Sequence, residues 1–332
     1  MKILFVGGTR FFGAATVAQL LRDGHSVAVL SRRAYEPGSR NLPPLYASWK
    51  ADRRDAKALA EIALDAWDVV IDNAAFTGAD VESLLKTQCM RAYVLSSSIA
   101  VYRFSKVRWI QPLLENSVLF ESQANPFPED PHWKYAYGKW EAERALRMQD
   151  QIPWITLRFS MVYGPCDPLL RGAYYLHRLA NDRELILPDA GKNAFHLLAS
   201  EDIPILFSRL MQMKPPEEGM VYNVAGAEVL RLVDFVHYHS LLWSKHPKVI
   251  AAPFRFCLPW GGPLAYEDNW VLSTEALRHQ LGFVSTPLES LLRDSAQWYL
   301  QNRKELDPLL ASEAEKERVA AEKLADFVLP IL

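Results

Sequence analysis

The chain has 332 residues, a formal net charge of −2, and 50% hydrophobic against 23% charged residues. This is the profile of a folded globular chain long enough for one large or two moderate domains. The near-zero charge argues against an electrostatic nucleic-acid binder, which concentrates Lys and Arg against phosphates, and 11% aromatic residues argue against disorder.

In chain order, Lys2 to Val6 is a short apolar run that stops at Gly7-Gly8, as a buried parallel strand does. It is too short for a signal peptide, and no stretch approaches the roughly twenty apolar residues of a membrane span. Gly13 to Arg22 carries helical periodicity ended by Asp23-Gly24, and Ser26 to Leu30 is the next strand. Ala56 to Leu64 reads as a helix, and Asp68 to Ile71, Tyr93 to Ser96 and Trp154 to Arg158 as further strands. This alternation predicts a doubly wound parallel sheet covered by helices on both faces.

From about Pro165 the regularity weakens. Val221 to Gly226 reads as a strand returning to the first domain, Pro253 to Tyr266 as an irregular covering loop, and Thr274 to Leu281 and Leu288 to Asn302 as helices. Ser312 to Phe327 reads as a charged terminal helix docked on its own domain. The expected division is 1–165 plus 197–226 for the sheet domain, 166–196 and 227–304 for a smaller mixed α/β substrate domain, and 305–332 for a helical tail. Cys89, Cys166 and Cys257 form no CxxC pair. They supply no zinc signature and fit a reducing compartment, so a cytoplasmic chain without a metal is expected.

Gly7-Gly8-Thr9-Arg10-Phe11-Phe12-Gly13 lies between the first strand and the first helix. That is where backbone N–H groups and the positive helix end hold a dinucleotide pyrophosphate. Gly7 would permit the tight turn, Gly8 the close backbone approach, and Gly13 the packing of helix on strand. An NAD site usually ends its second strand with an acid that binds the ribose diol. Here the strand ends Ser31-Arg32-Arg33. The arginines are either solvated loop residues or, with Arg10, a guanidinium clamp for a 2′-phosphate; the missing acid favours the clamp, and with it NADP over NAD.

Ser96-Ser97-Ser98 ends another strand at the carboxyl edge where open α/β sheets place ligands. Tyr135 and Lys139, four apart in a predicted helix, share one face. An ammonium beside a tyrosine favours the phenolate, which then exchanges a proton with a substrate hydroxyl or carbonyl; Ser98 would hold the same oxygen. Tyr137 has Glu141 rather than a Lys four positions on, so Tyr135 is the chosen base.

Taken together these segments resemble an extended short-chain dehydrogenase/reductase of the NAD-dependent epimerase/dehydratase family, which has a Rossmann-type fold. The likeness runs over roughly residues 1 to 300. It rests on Val6 to Gly13, Asp52-Arg53, Asn73-Ala74-Ala75, Ser96 to Tyr102, Tyr135 to Glu143, Leu157-Arg158 through Val162 to Pro165, Glu201-Asp202 and Tyr222 to Val224. It implies a Ser98-Tyr135-Lys139 catalytic triad, with Lys139 also on the nicotinamide ribose. It further implies pyrophosphate on Gly7, Gly8 and Gly13, Asp52-Arg53 near the adenine, a small-molecule substrate and a homodimer.

The departures shape the expected reaction. Arg10 replaces the middle glycine, as in a branch that includes chloroplast stem-loop RNA-binding proteins, yet this chain keeps the Tyr/Lys pair that branch has generally lost. Ile99-Ala100 follow Ser98 where sugar-nucleotide 4,6-dehydratases have Asp-Glu, and Met161 stands where nucleotide-sugar enzymes often carry Asn. The expected function is therefore an NAD(P)-dependent oxidoreductase. The alternatives are a redox-neutral epimerase and a dinucleotide-sensing or RNA-associated protein. His132 is read as a substrate contact and His196 as structural; His237 and His239 lack a carboxylate partner for a metal. Tyr174-Tyr175 and Trp260-Gly261-Gly262 either pack or line an apolar pocket.

Overall fold

The computed structural model describes residues 1–36, 42–106, 110–121, 123–214, 216–257 and 262–324. They divide into two compact units: Met1–Ser160, Ser200–Ala225 and Leu272–Val284 form one, and Met161–Ala199, Gly226–Val271 and Ser285 onward the other. The second unit thus begins at 161 rather than 166, and residues 272–284, expected in it, belong to the first.

The first unit is built on a parallel sheet. Its strands β1 (Lys2–Val6), β2 (Ser26–Ser31), β3 (Ala47–Lys50), β4 (Val69–Asp72), β5 (Tyr93–Ser98) and β6 (Trp154–Phe159) are joined by the returning strand Met220–Val224. The spatial order is Met220–Val224, β6, β5, β4, β1, β2, β3, with every pair parallel. This is the expected Rossmann-type architecture. Alternate residues along β1 point to opposite faces. Leu4 and Val6 join a core with Leu30, Ile62, Trp67 and Leu95, while the Phe5 ring meets Phe207 of the helix Asp202–Gln212 at 6.2 Å on the other face. The chain reverses its direction of travel at β1, so the carboxyl ends of β1 and β4 flank the topological switch point, where such sheets bind ligands.

Several elements escaped the sequence reading, among them a strand and a helix of the first unit. β3 is an edge strand of alternating exposure, ASWK, with no apolar run to announce it. The helix α3 (Gly78–Leu85), which follows α1 (Phe11–Arg22) and α2 (Ala56–Ile62) in the chain, starts at a Thr77/Asp80 capping box rather than at an apolar stripe. The helix that carries Tyr135, α4 (Pro131–Arg147), begins at Pro131, where the Asp130 carboxylate accepts the amides of His132 and Trp133 at 2.8 and 3.1 Å.

Among its described residues the second unit holds three two-stranded pairs: Met161–Tyr163 with Leu197–Ala199, Leu185–Pro188 with Val249–Ala252, and Ala194–Phe195 with Leu230–Arg231. A helix Arg171–Ala180 packs against a long helix Leu288–Leu324. That helix was expected to stop at Asn302, yet it runs on through Pro308. Leu306 and Leu310 bury against Ala173 and Leu176, and this packing outweighs the backbone bond the proline forgoes. The segment expected as a loop, 253–266, contains a short helix Phe254–Cys257, and residues 258–261, including Trp260 and Gly261, lie outside the described ones. Among the described residues no helix is long and apolar enough to cross a membrane.

Candidate active site

The glycine turn after β1 is tightly cornered. Gly7 has φ +90°, and a Cβ there would lie 2.9 Å from the Ala74 Cβ; its amide donates to the Leu30 carbonyl of β2 at 2.9 Å. The parts assigned to Gly8 and Gly13 exchange. A Cβ on Gly8 would strike Val17 of α1 at 2.6 Å and Phe5 of β1 at 2.7 Å, so Gly8 packs helix on strand. Gly13 faces the Gly7 carbonyl and the Asn73 amide group, both at 3.2 Å from such a Cβ. The backbone N–H of Asn73 donates to the Val6 carbonyl at 3.0 Å, which ties the two strand ends at the switch point together.

At the head of α1, Arg10 occupies the N-cap position without a side-chain cap, whereas α2, α3 and α4 are capped by Asp55, Thr77 and Asp130. The first-turn amides of α1 are left for an anion. A turn this close, with its helix end uncapped, fits a dinucleotide phosphate. The Phe12 ring of the same turn packs on Phe11 at 5.5 Å and Phe159 at 5.7 Å, closing the helix against β6.

The Thr9 hydroxyl meets the Ser31 hydroxyl at 3.0 Å, joining the glycine turn to the end of β2. Arg10, Arg32 and Arg33 flank this contact, and all three are exposed. Among the described residues their guanidinium groups have no hydrogen-bond partner. Asp52 and Arg53, expected near an adenine, have separate fates. Asp52 is exposed and accepts the Arg54 amide at 3.0 Å. The Arg53 guanidinium is instead committed to the buried Asp72, in a fork of 2.7 and 2.6 Å, and to the Asp80 carbonyl at 2.8 Å. Tyr93 donates its hydroxyl to the same Asp72. Arg53 therefore holds β4 and α3 in place, and its side chain has little left for a ligand.

Lys139 is 4% exposed, and its ammonium donates to the carbonyls of Ala75 at 2.7 Å and Ser96 at 2.8 Å. These two bonds fasten α4 to the carboxyl ends of β4 and β5. An ammonium has three donors, so one N–H remains for a ribose hydroxyl. The Tyr135 ring centroid lies 6.0 Å from the Lys139 Nζ, and the tyrosine is 40% exposed. Tyr137, the rejected candidate, stacks on Trp140 at 5.6 Å and donates its hydroxyl to the Gln123 carbonyl at 3.2 Å. Ser98 ends β5 two residues beyond the Lys139 contact, and its hydroxyl accepts the Ala100 amide at 3.2 Å.

The sequence reading passed over two supports of this arrangement. Gly138 sits so near the loop after β4 that a Cβ would lie 2.1 Å from the Phe76 carbonyl oxygen. A glycine in mid-helix was the available signal. Replacing it by Ala would gain about 1 kcal/mol of helix propensity, but backbone would have to move. Gly138→Ala is expected to lower stability by about 1–3 kcal/mol net of that gain, measured by urea unfolding; a rise in stability would refute the close approach.

The second support is a buried polar network. Arg158 pairs with Glu143 at 2.7 Å, both side chains being at most 1% exposed. Glu143 accepts the Ser97 hydroxyl at 2.6 Å, while Arg158 donates to the Glu115 carbonyl at 2.8 Å and to the Tyr102 hydroxyl at 3.2 Å. Burial pushes the Tyr102 phenol up to about 12 against the pull of Arg158, and the phenol donates to Asn223 at 2.6 Å. Ser97 and Tyr102 bracket Ser98, so the network holds the segment on both sides. A charged residue closing an apolar strand, as in Trp154 to Arg158, was its signal.

Of the remaining candidates, His196, His239 and Tyr175 are packing residues. His196 is buried with Nδ1 at 3.0 Å from the Glu228 carbonyl, and burial lowers its pKa. His239 is buried between the Phe235 and Leu292 carbonyls, and burial brings its pKa down to about 4. His237 and His132 are exposed. Tyr175 meets Tyr174 edge to face at 4.8 Å and accepts the Leu264 amide at 3.1 Å.

The model of the family described as NAD dependent epimerase/dehydratase family matches residues 3–225. The chain is 26% identical to the chloroplast stem-loop binding protein of 41 kDa b of Arabidopsis thaliana over 310 residues, 85% of this chain and 74% of that protein. Among solved structures, the UDP-glucose 4-epimerase of Thermotoga maritima with UDP-glucose has a TM-score of 0.71 at 17% identity, covering 91% of this chain and 99% of that one. The UDP-glucuronic acid 4-epimerase of Bacillus cereus, in complex with UDP-glucuronic acid and NAD, has a TM-score of 0.69 at 16% identity over 91% and 99%. At these identities the structural likeness is one of fold.

Proposed function

The chain belongs to the NAD dependent epimerase/dehydratase family of extended short-chain dehydrogenase/reductase enzymes, and on that premise we propose that it is an NADP-dependent oxidoreductase acting on a hydroxyl or carbonyl carbon of a small molecule. The observation that carries the proposal is the Lys139 ammonium, fixed by Ala75 and Ser96 and 6.0 Å from the Tyr135 ring. A bound nicotinamide would supply or accept the hydride. In reduction Tyr135 gives its hydroxyl proton to the substrate oxygen, and in oxidation it takes that proton back. Lys139 lies beside the Tyr135 ring and would offer its third N–H to the ribose. Ser98 holds the substrate oxygen by a hydrogen bond while the charge on it changes.

NADP is proposed over NAD because β2 ends in Ser31, an uncharged residue, with Arg10, Arg32 and Arg33 exposed around it. A charge-assisted hydrogen bond contributes about 1.5–3 kcal/mol. Replacing Arg32 and Arg33 together by Ala is expected to weaken NADPH binding by about ten- to a hundredfold and leave NADH binding unchanged, read by nicotinamide fluorescence. Equal loss for both cofactors, or a native preference for NADH, would sink the clamp.

The experiment that tests the function is to denature the purified protein, identify any released nucleotide, and titrate the emptied protein with NADPH and NADH. An empty site that takes up NADPH supports the reductase. A tightly retained, near-stoichiometric cofactor supports the second enzymatic reading, a redox-neutral epimerase using the same three residues, which the fold of the UDP-sugar epimerases favours. The likeness to a protein named for stem-loop binding favours a non-enzymatic RNA-associated role. The retained Tyr135 and Lys139 and the net charge of −2 support the enzyme, and uptake of neither cofactor would overturn it.

A further inference from the structure

Phe76 follows the Asn73-Ala74-Ala75 segment and is 53% exposed, yet its backbone is among the most constrained near the site. Its amide donates to the Asp80 carboxylate at 2.9 Å, as does that of Thr77 at the same distance, and Arg54 holds the other oxygen of that carboxylate at 2.8 Å. From the opposite side its carbonyl abuts α4, where a Cβ on Gly138 would come within 2.1 Å. The ring itself lies 5.1 Å from the Lys139 Nζ and 6.2 Å from the Tyr135 ring. The cation favours this position through the quadrupole of the ring. The result is a half-uncovered aromatic face, anchored from two directions, beside the side chain read as the proton donor.

We infer that Phe76 is a specificity-determining residue whose ring receives a planar apolar part of the substrate, so that the reacting carbonyl or carbinol carbon is borne on an aryl or conjugated group. The inference rests on Tyr135 being the acid/base. Aromatic rings pair with centroids roughly 4.5–7 Å apart, offset or edge to face. A flat substrate on Phe76 therefore stays within the span that already separates Phe76 from Tyr135. A polyol laid there would turn hydroxyls toward a surface that offers them no acceptor, at the cost of their bonds to water.

The test compares acetophenone with cyclohexyl methyl ketone, of nearly equal size, on the full chain loaded with NADP, using saturation-transfer NMR and competition titration. The native protein is expected to bind the aryl ketone about three- to tenfold more tightly. Phe76→Ala should abolish the difference and Phe76→Trp should keep it, while Tyr135→Phe leaves it in place. A native protein that binds both ketones equally or neither, or a preference that survives in Phe76→Ala, would overturn the inference. Cofactor uptake is measured on the same samples beforehand. Uptake of neither NADPH nor NADH overturns the oxidoreductase reading, whereas uptake without an aryl preference overturns this inference alone.

Discussion

Replacing Tyr135 by Phe is expected to lower turnover by about 10²–10⁴-fold, the share general acid–base catalysis contributes, or about 3–5 kcal/mol of transition-state stabilisation. The substitution removes one hydroxyl from a side chain already 40% exposed, so the fold should not notice it. The ring keeps its neighbours, Phe76 at 6.2 Å and the Lys139 ammonium at 6.0 Å. Lys139 keeps its two carbonyl partners. NADPH affinity should therefore stay within about twofold of native, because no cofactor contact is assigned to the phenol. The measurement is the rate of NADPH oxidation with a carbonyl substrate of the native protein, beside a fluorescence titration of cofactor. Full activity in the variant would end the proposed mechanism. The Tyr137→Phe variant is the matched control, since that hydroxyl is spent on the Gln123 carbonyl, and it should leave turnover near native.

The largest stability effect is expected at Arg158. Truncation to Ala leaves Glu143 buried without its partner, and breaking a buried pair in this way costs about 3–5 kcal/mol. Native proteins have about 5–15 kcal/mol in all, so Arg158→Ala should bring the sheet unit close to unfolding at room temperature, with a large fall in the urea midpoint. The double replacement Arg158→Met with Glu143→Leu removes both charges and keeps the volume, and it should recover most of the loss. What it cannot restore is the Ser97 anchor on Glu143 at 2.6 Å. A refolded double variant should therefore bind cofactor normally and still react slowly, because Ser98 has lost a support. Native turnover in that variant would show that the network serves the fold alone.

Much of this was legible in the sequence because parallel strands buried on both faces read as apolar runs. Lys2 to Val6 announced itself in this way, and glycines mark the turn that follows. The YxxxK spacing placed Tyr135 and Lys139 on one helical face without any tertiary knowledge. The place near the adenine expected of Arg53 came with the family resemblance, and nothing local in the sequence says that Asp72, nineteen residues on, will claim its guanidinium. β3 was missed because an edge strand shares only one side with the sheet and needs no continuous apolar run. The helix expected to stop at Asn302 runs on through Pro308, whose local penalty is outweighed by Leu306 and Leu310 packing on a helix more than a hundred residues earlier.

By itself, then, the sequence determined the chain's alternating architecture and its family, and it singled out Ser98, Tyr135 and Lys139 as the candidate reactive groups. Each of these depends on local periodicity or on spacing within one element, where chain geometry leaves few choices. Only the tertiary structure decided what fixes those groups in place. The carbonyls of Ala75 and Ser96 on Lys139, the approach of Phe76 to Gly138, and the Glu143–Arg158 pair behind Ser97 all join residues distant in sequence. Such contacts form where separate strands end together at one edge of a sheet. Backbone groups carry several of them, and a backbone carbonyl looks the same at every position of the chain until the fold selects which one is used.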